Sequence, residues 1–172
     1  RYQNCKDEVR VKNFVFIVLL YAALLFPCRI EQAKIEYAKG VASWNGSNIE
    51  AALKNIEGCN DPSASEEVFL LKALSFWRLT VFSYVNNNKK AIRNYASLTE
   101  ENALKLEKLS GVGEISTALK AFAYQMLSSL GITTAIKNGP KSSEMLNILE
   151  KSYPNSYWTR IVKSTNLLQA PK

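Results

Sequence analysis

The chain has 172 residues, 47% of them apolar, a formal net charge of +7 and no histidine. Without an imidazole, histidine-activated nucleophiles and histidine-containing zinc sites are excluded, and no glycine-lysine phosphate loop or glycine-rich dinucleotide turn is present. The positive excess is dispersed rather than blocked, so the concentrated footprint of a nucleic-acid binder is missing and no nucleic-acid partner is expected.

Residues 1–10, RYQNCKDEVR, carry four charges close together at Lys6, Asp7, Glu8 and Arg10. They look like neither a secretory start nor an amphipathic anchor. If Val11 is the first codon, read as an initiator methionine, residues 1–10 are a mis-assigned extension; the alternative is a cytoplasmic tail ahead of an anchor. Residues 11–28 form a signal sequence or membrane anchor. Lys12 precedes thirteen uncharged residues, Phe14 to Phe26, closed by Pro27, Cys28 and Arg29. A basic flank followed by a short apolar run is the layout of a secretory signal, and the run is shorter than the roughly 20 residues that span a bilayer.

Leu25-Phe26-Pro27-Cys28 resembles the end of a bacterial lipoprotein signal, in which a cysteine after the apolar run is lipidated and becomes the mature N-terminus. The leucine three before the cysteine agrees with that pattern, while Phe26 and Pro27 are bulkier than the small residues the family prefers. The resemblance implies lipid attachment at Cys28. An uncleaved helical anchor and cleavage elsewhere are the competing readings. Of the three cysteines, Cys5 lies in the extension and Cys28 at the signal boundary, so Cys59 stands alone in the body. It reads as a small buried residue at a helix end, with no internal disulfide expected.

From Arg29 on, the chain has the length of one domain. Ile30, Ala33, Tyr37, Ala38 and Val41 recur at threes and fours and predict a helix from Arg29 to about Trp44. Asn45-Gly46-Ser47-Asn48 closes it and caps a second helix carrying Ile49, Ala52, Leu53 and Ile56. After the breaker-rich stretch 58–65, a third helix from Glu66 to about Val85 carries Phe69, Leu70, Ala73, Phe76, Trp77, Val81 and Tyr84. Lys72 and Arg78 inside it make a second membrane span costly, so an enclosed packing helix is expected. A fourth runs from about Lys89 to Leu109, with Glu101 and Lys105 as an i,i+4 pair.

Gly111-Val112-Gly113 has no strand before it and reads as a helix connection. A fifth segment then carries Ile115, Leu119, Phe122, Ala123, Met126, Leu127 and Leu130, extending to Ile132 and Ile136. Asn138-Gly139-Pro140 is expected to stop it and start a sixth, with Met145, Leu146, Ile148 and Leu149 on its buried face. Tyr153-Pro154-Asn155-Ser156 separates a last helix containing Tyr157, Trp158, Ile161, Val162, Leu167 and Leu168. The expected fold is all-α, antiparallel helix pairs in a short solenoid or irregular bundle over residues 29–172.

Three triplets share a small, large, small-to-medium spacing on the second helix of a pair: Ala52, Ile56, Cys59; Ala91, Tyr95, Leu98; and Ser142, Leu146, Leu149. A small residue lets helices approach while the large one fills the groove between neighbours. With Pro154 following the third triplet and Leu130-Gly131 near a leucine-glycine position, residues 30–160 resemble the tetratricopeptide-repeat family. The unit starts are 39 and 51 residues apart, against roughly 34 in that family.

The resemblance implies scaffold work: a face that holds a peptide, a protein subunit or a small ligand, with no catalytic residue, metal or cofactor. An exported, anchored version would be similar to the periplasmic helical-repeat component of some tripartite transporters or to outer-membrane assembly lipoproteins. That places it in the bacterial periplasm or cell envelope, or on an extracellular face. Among the long aromatics Tyr37, Trp44, Trp77, Tyr84, Tyr95, Tyr124 and Trp158, the pairs Tyr124 with Gln125 and Trp158 with Arg160 are the candidate binding residues, because a polar group sits beside each ring. The rival reading is a structural subunit of a membrane complex with Phe76, Trp77 and Phe122 as contacts. The adjacent carboxylates Glu66-Glu67 and Glu100-Glu101 point about 100° apart on a helix and do not converge on one substrate.

Overall fold

The computed structural model describes residues 28–59 and 62–169, with no side-chain account of residues 167–169. The extension and the apolar run Phe14–Phe26 lie outside the described residues. Seven α-helices occur among the described residues: α1 (Ile30–Ala42), α2 (Gly46–Asn55), α3 (Ser65–Val85), α4 (Lys89–Ser110), α5 (Glu114–Ser128), α6 (Ile132–Ser152) and α7 (Tyr157–Gln169), with a 3-10 turn at Pro62–Ala64. The all-α expectation holds.

Local chemistry explains most boundaries. The Asn45 side chain accepts the Ser47 N–H at 3.0 Å and starts α2, and Asn88 does the same for Ala91 at 3.1 Å at the start of α4. Such caps satisfy amide donors that have no partner inside the helix. Gly111 ends α4 at φ 81°, a left-handed conformation that costs glycine little.

The fifth and sixth helices divide differently from expectation. The break falls at Leu130-Gly131, where Gly131 takes φ 147°, and α6 then runs straight through Asn138-Gly139-Pro140. Pro140 removes one helical donor, and its carbonyl partner belongs to Ile136, which faces solvent. Water can serve that carbonyl, so the helix continues. Ile132 and Ile136 therefore leave the buried side predicted for them and are 82% and 73% exposed on α6.

Each helix packs on its neighbours in sequence, and α1, α3, α5 and α7 also contact one another in succession. No contact joins α2, α4 and α6 to each other. The result is a two-layered, helical-repeat-like array, with odd-numbered helices in one layer and even-numbered helices in the other. Helix α5 is central, and every residue from Ser116 to Leu127 is buried. The main core joins Trp77, Ala103, Leu119, Phe122, Leu149 and Val162, and Trp77 stacks on Phe122 with centroids 4.9 Å apart. A smaller cluster of Ala33, Ala52, Ile56, Val68 and Leu71 holds α1 and α2 against α3.

The structure overturns the cysteine reading. Cys28 and Cys59 form a disulfide across a sequence separation of 31, and the adjacent Arg29 N–H donates to the Asn55 carbonyl at 3.1 Å. Cys59 is thus a bridge, and the Cys28 sulfur is not available for lipid attachment.

The triplets are met unequally. Ala52 and Ile56 are fully buried, as is Leu149, and Ser142 is nearly so, while Leu146 packs half-buried on the core and Pro154 is exposed. In α4 the predicted residues Ala91, Tyr95 and Leu98 are only half-buried. Its buried seam lies one position on, at Ile92, Ala96, Thr99, Ala103 and Leu106. Ala96→Leu is accordingly expected to cost about 1–3 kcal/mol through overpacking, and Ala91→Leu less than about 0.5 kcal/mol. Urea unfolding of the two variants checks this, and equal losses would contradict the shifted seam.

Candidate functional site

Because α2 has 10 residues and α4 has 22, and no close backbone contact joins the two helices, a strip of α3 is left uncovered between them. On α3 the residues Phe69, Lys72, Phe76, Leu79 and Ser83 follow a spacing of three and four, which places them on one helical face. The resulting groove has a volume of about 670 Å³, with Leu53, Lys54 and Glu57 on the α2 side, Leu98, Glu101 and Lys105 on the α4 side, and Lys72 and Phe76 on the floor. A second hollow of about 320 Å³ shares Ser47 and Glu50 with it and continues toward Asn86 and Asn88.

The floor is aromatic and the walls are charged. Phe76 stacks on Tyr95 with centroids 6.2 Å apart, and Lys105 Nζ lies 5.6 Å from the Phe69 centroid. Lys105 also pairs with Glu101 at 2.6 Å. Lys72 has no ion-pair partner among the described residues. Burial and then the Lys105 charge hold its ammonium below the usual lysine range, with Glu57 opposing. At the opposite end, burial and the Glu50 carboxylate push the Tyr95 hydroxyl above its ordinary value. The floor is therefore cationic at Lys72, while Glu50, Lys54 and Glu57 give the α2 wall both signs.

The four residues expected to bind a partner do not form a site. Tyr124 is buried, and its hydroxyl donates to Glu100 Oε1 at 2.8 Å. Burial first and that bond second raise its pKa, and Lys141 covers the ring at 5.1 Å. Gln125 is 2% exposed, and its Nε2 donates to the Val162 carbonyl at 3.1 Å, tying α5 to α7. Trp158 packs half-buried on the core, 5.7 Å from Trp77. Arg160 is exposed on α7. The first three are packing residues, because an aromatic ring beside a polar group serves a core hydrogen bond as readily as an interface.

Trp77 and Phe122, the contacts of the rival reading, are core residues as well, and only Phe76 reaches the groove. The segment Pro62–Val85 passes the length and hydropathy criteria for a membrane span, yet α3 packs against α1, α2, α4 and α5. Sequence reading missed Lys72, Glu50 and Lys105 as site residues. The available signal was Lys72 itself, a lysine inside an otherwise apolar helix and in phase with Phe69 and Phe76.

Among the described residues no three metal-capable side chains converge. No family model matches the chain, and neither a curated protein nor a solved structure matches it.

Proposed function

We propose that this protein is an exported, membrane-attached, TPR-like helical scaffold without catalytic activity, which holds a segment of a protein partner in the groove between α2 and α4. The observation that carries the reading is the uncovered face of α3. A phenylalanine and a half-buried lysine line an open slot where a further helix or strand would otherwise pack, and aromatic side chains with restricted rotamers are favourable anchors for a partner.

Export is supported by the Cys28–Cys59 disulfide, since such bonds persist in oxidising compartments such as the periplasm and are rare in the cytosol. With the Cys28 sulfur occupied, membrane attachment rests on the apolar run Phe14–Phe26. The groove volume also falls in the range of small-ligand sites, but its continuation into the second hollow toward Asn86 and Asn88 favours a peptide over a compact molecule. A permanently buried structural subunit would need external aromatic contacts, and two of the three considered are enclosed in the core.

The test is a photo-crosslinking amino acid placed at Leu98 in the full chain in native membranes, with a second at exposed Ile132 on α6. The expected result is a discrete protein adduct at Leu98 that is absent at Ile132. No adduct at Leu98, or the same adducts at both positions, overturns the groove reading.

A further inference from the structure

Three acids, Glu50, Glu57 and Glu101, and three lysines, Lys54, Lys72 and Lys105, line the groove. Lys72 stands between Phe69 and Phe76 on α3, half-buried and without an ion pair among the described residues. The neighbouring Lys105 is already engaged by Glu101 at 2.6 Å, so it leaves Lys72 as the unmatched charge on the floor. Glu57, in the turn after α2, is exposed and forms no bridge to it. Leaving an ammonium partly buried and unpaired is unfavourable, and a methionine of similar reach would fill the same space without that cost.

Glu50, on the α2 wall, is an exposed carboxylate that lines both hollows, with Lys54 one turn further along the same helix.

We infer that the groove recognises a peptide segment of the partner that places an acidic side chain on Lys72 and an apolar side chain over Phe76. This inference rests on the groove reading and specifies its ligand. Charge complementarity at Lys72 fixes the acidic side chain, while the aromatic floor supplies contact area.

The probe is the peptide acetyl-Glu-Leu-Phe-Lys-amide, with acetyl-Gln-Leu-Phe-Lys-amide as its neutralised counterpart. Each is titrated into the full chain in detergent micelles while the Leu98 methyl resonances are followed. The expected result is that both perturb Leu98 and that the glutamate peptide binds about fivefold more tightly. Lys72→Met should abolish that difference while leaving the fold intact, and Lys163→Met, on the remote α7, should preserve it. Equal affinity of the two peptides for the unmodified protein overturns the inference. So does discrimination that survives Lys72→Met, or the absence of any Leu98 perturbation by either peptide. None of these outcomes touches the native adduct at Leu98, so the groove reading stands or falls separately.

Discussion

Reduction of the Cys28–Cys59 bond is expected to lower the unfolding free energy by about 3–4 kcal/mol, the loop-closure contribution for a crosslink of this span. The bond joins residues separated by 31 positions and closes the α1–α2 hairpin at its base. The hairpin's other anchors on α3 are the buried cluster of Ala33, Ala52, Ile56, Val68 and Leu71, with Tyr37 packed against it, and the edge-on contact of Trp44 with Phe82 at 4.5 Å. Lys34 adds ion pairs to Glu31 and Glu67, but all three side chains are well exposed, and such pairs contribute little. Cys28→Ser and Cys59→Ser should each reproduce the effect of reductant, and the two together should add almost nothing further. Urea unfolding with and without reductant measures the loss, and hydrogen exchange should show α1 and α2 opening first. An unchanged urea midpoint after reduction would exclude a stabilising crosslink.

The largest effect of a single substitution away from the disulfide is expected at Glu107. Its carboxylate reaches back from α4 to Lys120 on α5, with Nζ–O distances of 2.7 and 2.8 Å, and both side chains are only 11% exposed. The Ser116 hydroxyl donates to the same carboxylate at 3.0 Å and accepts the Gly113 N–H at 3.2 Å, which ties the pair to the start of α5. Glu107→Ala leaves the Lys120 ammonium enclosed and unmatched, at a cost of about 3–5 kcal/mol. Replacing both partners with apolar residues of similar size, Glu107→Leu with Lys120→Met, should recover most of that loss, because the desolvation cost disappears along with the attraction. Urea unfolding of the two single variants and the double variant provides the cycle. A double variant as unstable as Glu107→Ala would show that the pair does more than cancel its own desolvation.

The candidate site shows how far one-dimensional patterns reach. Phe69, Lys72 and Phe76 could be placed on one face of α3 by counting, and Lys72 was visible as a charge inside an apolar helix. That reasoning treated the lysine as a cost to be tolerated within an enclosed helix. The face is open because α2 stops after 10 residues and makes no close backbone contact with α4, and no residue count along α3 contains the separation of two other helices. For the same reason the enclosure of Tyr124 and Gln125 was not legible along the chain: the Tyr124 hydroxyl and the Gln125 amide find partners at Glu100 and Val162, far away in sequence.

The sequence by itself determined the helices and most of their ends. Spacing by threes and fours, the caps at Asn45 and Asn88, and the glycine at 111 act within a few residues of where they stand, so their effects can be read locally. Tertiary structure decided the rest. The one-residue shift of the buried seam in α4 follows from how α3 and α5 lie against it. The continuation of α6 through Pro140 depends on which side of that helix faces water, and the Cys28–Cys59 bond depends on the α1–α2 hairpin bringing together two sulfurs on either side of an assumed boundary. Each of these is a relation between surfaces that meet only after folding, set by packing and solvent exposure rather than by any periodicity along the chain.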